Sequence, residues 1–241
     1  MKHIMITLAI MAVSIVASAK CVYFISGDIL QLNTKVTYSN GDTAKLDIVG
    51  TLKESQIPDF QNVVNVKVGN SVTEIGANAF TNFLNLSTVR ISKTVETIGS
   101  GAFWNNNVVS NIILQNGLTT INPNSFRSCS KLGEMEIPDT VTSIKVNAFR
   151  GCVSISNLTF GTGLVEIGSS SFYGCKKLKD ITIPNSVMTI GNSAFQGTSL
   201  TNLTFKGKTL EYVQGMDNYP WGITDTNIIN VVKNEMDFND I

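Results

Sequence analysis

Histidine is nearly absent: the 241 residues contain one, His3. It lies in a segment that reads as a cleavable leader. Without it, Ser-His-Asp and Cys-His nucleophilic catalysis and His-ligated metal sites are excluded. Charge is scarce as well, with 15% charged residues and 18 basic side chains balanced by 18 acidic ones. A neutral chain lacks the broad positive field that nucleic-acid binding relies on. Long apolar runs are missing too. The one candidate, Ile4 to Ala17, is interrupted by Thr7 and Ser14. At about 14 residues it falls short of the roughly 20 needed to span a bilayer. Lys2 before this run and Ala17-Ser18-Ala19 after it match a signal peptide over residues 1–19. The expectation is therefore a secreted or cell-surface protein with no membrane span. Cys21 follows, but Lys20 stands where a lipidation signal needs a small residue.

What the chain has in abundance is repetition. Phenylalanine recurs at Phe80, Phe103, Phe126, Phe149, Phe172 and Phe195, always 23 residues apart. Five residues before each stands Ile75, Ile98, Ile121, Ile144, Ile167 or Ile190, and three further back Val72, Val95, Leu118, Val141, Leu164 or Val187. The ladder Val68, Ile91, Leu114, Ile137, Phe160 and Ile183 is joined, two positions earlier, by Val66, Val89, Ile112, Met135, Leu158 and Ile181. The unit reads L-x-x-I-x-I-P-x-x-V-x-x-I-G-x-x-A-F-x-G-C-x-x.

Its first half has the period-two alternation of a strand. Pro138 and Pro184 stop that strand by removing a ladder donor. The column Gly76, Gly99, Gly168 and Gly191 suggests a turn with positive φ, which Asn122 tolerates and Lys145 adopts only at a cost. One unit buries its apolar face only against its neighbours, so the chain must stack as a solenoid. The fold class expected is a leucine-rich repeat solenoid, mostly β. It has a parallel sheet on the concave face and short turns or 3-10 segments on the convex side. The Phe column forms its structural core.

The unit resembles the BspA-like, or Treponema pallidum type, leucine-rich repeats. The match is close in Leu132 to Cys152 and in Leu178 to Gly197. Such proteins are secreted or surface-displayed, and some bind host matrix proteins such as fibronectin and fibrinogen. The resemblance thus implies protein binding in adhesion, with a protein partner that includes a host extracellular-matrix protein. The segment Met216 to Ile223 also looks like the closing segment of such arrays.

Flanking segments differ in character. Residues 20–62 carry short alternating runs and the turn Ser39-Asn40-Gly41-Asp42, which suggest a β-hairpin-like N-terminal cap. Repeats occupy 63–213, about 6.5 units. Residues 214–241 lose the period, and there Trp221 reads as a plug for the open end. Cys129, Cys152 and Cys175 share one column that calls for a small buried residue, so they are expected as free thiols with no disulfide; the alternative is a bridge between stacked neighbours, Cys129 with Cys152 or Cys152 with Cys175, whose Cα atoms would lie about 5 Å apart. Their spacing matches no zinc pattern, and neither metal nor cofactor is expected.

With the inward positions occupied by packing, ligand contacts fall to the outward strand columns. These are Lys67, Thr88, Arg90, Asn111, Ile113, Glu134, Glu136, Asn157, Thr159, Asp180 and Thr182. Basic residues lead and acidic ones follow, a polarity that a partner can read as register. Glu134 and Glu136 lie about 6–7 Å apart by strand rise, near the carboxylate separations of glycoside hydrolysis. Nothing in the sequence supplies a pocket or a raised pKa, and no enzyme is expected. Asn85, Asn157 and Asn202 begin glycosylation sequons, although N-L-T is also simply strand alternation. The alternative function is a structural coat component that self-associates edge to edge.

Overall fold

The computed structural model describes residues 34–232. The expected signal peptide with His3, Cys21, and the outer ends of both flanking segments lie outside those residues. A hairpin of β1 (Thr34–Tyr38) and β2 (Thr43–Leu46) comes first, then β3 (Gly50–Leu52). Each following coil contributes a longer and a shorter strand. The pairs are β4 (Val63–Lys67) with β5 (Val72–Ile75), β6 (Thr88–Arg90) with β7 (Thr97–Ile98), and β8 (Asn111–Ile113) with β9 (Thr120–Ile121). They continue as β10 (Glu134–Ile137) with β11 (Ser143–Ile144), β12 (Asn157–Phe160) with β13 (Glu166–Ile167), and β14 (Asp180–Ile183) with β15 (Thr189–Ile190). The last described elements are β16 (Asn202–Lys206), helix α1 (Leu210–Gln214) and β17 (Ile229–Val232).

The long strands come from the alternating half of the unit, and neighbours pair in parallel one repeat apart, as in Asn65 with Thr88 and Lys67 with Arg90. The V-x-x-I half adds a second parallel sheet, in which Ile75 sits beside Ile98 and Ile98 beside Ile121. This second sheet runs unbroken in the order β15-β13-β11-β9-β7-β5-β3. The long strands instead form three groups, β2-β1-β4-β6-β8, β10-β12 and β14-β16-β17. A third set of backbone bonds ties the Phe turns together. The Phe103 N–H donates to Ser125 O at 2.7 Å and that of Phe126 to Ala148 O at 2.8 Å. The second sheet and the Phe turns are thus fastened from coil to coil throughout, and the long strands within each of their three groups, which satisfies backbone groups that stacking would otherwise bury unpaired.

Phe80, Phe103, Phe126, Phe149, Phe172 and Phe195 are all buried. Their rings stack along the axis with centroids 4.9, 5.3, 5.0, 5.3 and 5.9 Å apart and planes within 10° of parallel. The spacing follows the coil repeat of about 4.8 Å and lies within the range of about 4.5–7 Å in which stacked aromatic pairs are favourable.

Three residues past the Phe, the column is more than a small buried filler. Cys129, Cys152 and Cys175 are buried free thiols. Each Sγ donates to the carbonyl of the Phe one coil back, at 3.1 Å to Phe103, 3.0 Å to Phe126 and 3.3 Å to Phe149. Asn106 fills the same place and bonds Phe80 O at 2.6 Å. Burial first, then the adjacent Cys129 sulfur, push the Cys152 thiol well above its ordinary pKa. Burial and then Cys152 do the same to Cys175. Because all three thiols are buried out of a reagent's reach, and the thiolate that reacts is further disfavoured at Cys152 and Cys175, an alkylating reagent at neutral pH is expected to leave these three cysteines unmodified in native protein and to label all three in denaturant. Peptide mass mapping reads the result; a thiol still unlabelled after denaturation reveals a disulfide.

The glycine column corrects a sequence expectation. Gly76, Gly99, Gly168 and Gly191 do not have positive φ. They are small because the preceding coil's backbone passes close. A Cβ on Gly99 would lie 2.5 Å from Ala77 N, and one on Gly168 2.6 Å from Lys145 C. The Gly99 and Gly168 N–H groups bond the preceding coil at 2.7 Å, whereas Lys145, in the same column, does so at 2.9 Å. Lys145 occupies the column without adopting a left-handed backbone. The left-handed positions lie two residues either side of each Phe. Asn78, Gly101, Asn124, Asn147, Ser170 and Ser193 precede it, and Asn82, Asn105, Ser128, Gly151, Gly174 and Gly197 follow. Asn and Gly dominate, as the αL region requires.

At the first coil, β1 pairs antiparallel with both β2 and β4. At the last coil Trp221 is fully buried, with its ring 5.5 Å from that of Phe205 and its Nε1 donating to Asp217 O at 2.9 Å.

Candidate binding face

Strand alternation leaves one residue set facing outward on the long strands, and the ladder register fixes which of them are neighbours. Lys67, Arg90, Asn111, Ile113, Glu134, Glu136, Asn157, Thr159, Asp180 and Thr182 are exposed, while Thr88 is half-buried and its hydroxyl donates to Asn65 Oδ1. Lys67 stands beside Arg90, and Arg90 beside Ile113. Farther along, Glu136 stands beside Thr159 and Thr182 beside Thr204.

The N-terminal hairpin enlarges this row. Lys35 pairs with Lys67 on one side and with Lys45 on the other. Lys45, Lys35, Lys67 and Arg90 therefore form four successive cations on one face, of which sequence reasoning found only the last two. The available signal was the alternation in Thr34-Lys35-Val36-Thr37-Tyr38. Its register against the first coil cannot be read from a 23-residue period, since the hairpin runs antiparallel to the repeats. Among the described residues the only ion pair is Lys145 with Glu166, at 2.7 Å, outside this face. Burial opposes ionisation of Glu166, but hydrogen bonds from Lys145 and Ser143 and the Lys145 charge outweigh it and lower its pKa. Among the described residues, cations of the long-strand face have no such partner.

Between β8 and β10 the ladder is not hydrogen-bonded. An open groove of about 480 Å³ lies there, lined by Asn111, Ile113, Glu134, Glu136, Asn157 and Thr159 above a floor of Ile112 and Met135. Ile113, 39% exposed, is the one apolar side chain of the outward columns and separates the basic end from the acidic one. Glu134 and Glu136 both stand exposed at the groove.

Asn85 is exposed, with its Nδ2 donating to Gln61 O at 2.7 Å. Asn157 is exposed on β12, and Asn202 Oδ1 accepts from Asn230 and Thr204 at 2.8 and 3.1 Å. Among the described residues, no cluster of His, Cys, Asp and Glu could hold a metal ion. No helix there is long and apolar enough to cross a membrane.

Comparison with known proteins places this geometry. No curated protein matches the chain. Among solved structures, a leucine-rich repeat protein from Eubacterium ventriosum is 23% identical with a TM-score of 0.54, over 76% of this chain and 54% of that one. The pneumococcal vaccine antigen PcpA is 22% identical with a TM-score of 0.55, over 68% of this chain and 45% of its own. A leucine rich cell surface protein from Faecalibacterium prausnitzii is 25% identical with a TM-score of 0.48, over 76% and 40%. This chain spans about half the length of these solved chains. The leucine-rich solenoid is typically a non-enzymatic fold. The BspA type leucine rich repeat region matches in six copies over residues 45–152 and 97–216, and the chain belongs to that family.

Proposed function

We propose that this protein is an exported or surface-displayed binding module whose long-strand face contacts a protein partner, in adhesion to host or neighbouring-cell proteins. Leucine-rich repeat families suggest protein–protein interaction or a surface role, which supports the reading in its coarse form. The observation that carries it is the order of side chains along one face. Lys45, Lys35, Lys67 and Arg90 lead to the apolar Ile113, and Glu134, Glu136 and Asp180 follow. Unpaired rim charges steer encounter and fix orientation, and an exposed aliphatic at their junction supplies the contact that loses water. The scaffold holds these groups on hydrogen-bonded strands, so little ordering entropy is spent on binding. Repeats supply rigidity here, and no catalytic group is required.

Single charge reversals test the face. Arg90→Glu and Glu136→Lys each replace an exposed side chain and are expected to leave the thermal midpoint nearly unchanged, since such surface changes fall within about 0.5 kcal/mol. Each is expected to weaken binding to immobilised matrix proteins in biolayer interferometry. Unchanged binding by both moves the contact elsewhere. A second reading, edge-to-edge self-association, is favoured by the terminal strand β17, where Val231 and Val232 are exposed; a monomer in light scattering at high concentration removes it.

A further inference from the structure

The Phe turns carry a second row, one residue past each Phe, that the reading above leaves unused. Its members are Thr81, Trp104, Arg127, Arg150, Tyr173 and Gln196. Backbone bonds hold them one coil apart. The carbonyls of Trp104, Arg127, Arg150 and Tyr173 accept from Asn82, Asn105, Ser128 and Gly151 at 3.1, 2.9, 2.8 and 2.8 Å. The two guanidiniums lean in opposite directions. That of Arg127 lies 5.4 Å from the Trp104 ring centre, and that of Arg150 lies 4.4 Å from the Tyr173 ring centre. Each also donates to its own turn, Arg127 to Asn124 Oδ1 at 3.4 Å and Arg150 to Asn147 Oδ1 at 3.5 Å. Stacking and hydrogen bonding thus preset both side chains.

Neither arginine has a carboxylate partner, because Lys145 with Glu166 is the only ion pair among the described residues. The sequence explains this: no Asp or Glu occurs in residues 97–133, 140–165 or 167–179. The same stretches add Lys131, Lys176 and Lys177, all exposed. A chain that is neutral overall therefore presents an acid-free turn region with fixed cations and an aromatic at each end of the arginine pair.

We propose that this row binds a linear sulfated polysaccharide. Guanidinium pairs with the oxygens of a sulfate through charge-assisted bonds, and two guanidiniums leaning apart meet successive charges of a chain better than one compact anion. Trp104, 42% exposed, offers ring surface for a sugar beyond the charged pair. An acidic peptide is less well served. The backbone groups of this edge are already joined coil to coil, so no strand can be added.

The test uses the full chain with size-defined heparin oligosaccharides as probe and polyglutamate as a peptide polyanion, read by interferometry at fixed salt. Wild type is expected to bind heparin more tightly than polyglutamate. Arg127→Gln with Arg150→Gln should lose heparin affinity by about tenfold or more, the scale of two charge-assisted bonds. Lys67→Gln with Arg90→Gln, which removes the same charge from the long-strand face, should lower heparin affinity less than the Arg127 and Arg150 change does. If the double arginine variant folds poorly, Arg127→Lys keeps the charge but loses the planar stacking geometry, and should still weaken heparin binding. The proposal is overturned by absent heparin binding, by equal or tighter binding of polyglutamate, or by a loss confined to the Lys67 and Arg90 variant. It does not depend on the long-strand face, whose own failure would show only in binding to matrix proteins.

Discussion

Phe149→Ala lowers the stability of the protein by about 3–5 kcal/mol in chemical denaturation, the range for deleting a buried aromatic ring. Phe149 lies between Phe126 at 5.0 Å and Phe172 at 5.3 Å, in near-parallel stacks. Removing it opens a void that its neighbours cannot fill, because both are held by backbone bonds to adjacent coils: Phe126 N–H to Ala148 O and Phe172 N–H to Ala194 O. In a solenoid each coil is stabilised by its neighbours, so the loss in one coil weakens two interfaces at once. Trp104→Ala, one residue past Phe103 on the exposed side, serves as the contrast and should cost less than about 1 kcal/mol. Equal losses for the two variants would mean that the ring stack does not hold the coils together.

The second large effect separates two reasons for glycine. Gly99→Ala places a Cβ 2.5 Å from Ala77 N, against backbone that cannot rotate away. The expected cost is about 3 kcal/mol, at the upper end for overpacking. Gly174 has φ +72° and nothing within 4 Å of a Cβ. There the substitution meets only the left-handed backbone penalty, about 1–2 kcal/mol. Comparable midpoints for the two variants would refute close approach as the reason for the Gly99 column.

Much of the fold was legible because one unit is written six times. Repetition exposes the columns, and the columns expose which side chains face inward, so the Phe spine and long strands follow from spacing alone. The second sheet was harder to see, since two-residue strands such as Thr97–Ile98 and Thr120–Ile121 are too short to show alternation. The glycine column misled because composition cannot distinguish positive φ from backbone crowding; only the neighbouring coil tells them apart. The left-handed positions, two residues either side of each Phe, went unread, since Ser at Ser128, Ser170 and Ser193 dilutes the Asn and Gly that mark them. For the long-strand face, outward orientation follows from alternation. Lys35 and Lys45 join it through antiparallel pairing outside the repeat, and the groove at Glu134 and Glu136 arises from a break in the ladder that no residue pattern announces.

Exchange of the two charges that flank Ile113, Arg90→Glu together with Glu136→Arg, keeps composition, net charge and the buried core while reversing the local order on the long-strand face. Interferometry against immobilised fibronectin and fibrinogen compares this variant with wild type. The expected result is saturable wild-type binding that falls by about tenfold or more in the exchanged variant, as for charges read in register, with an unchanged circular dichroism melt. Retained affinity in a folded exchanged variant would contradict recognition through that face.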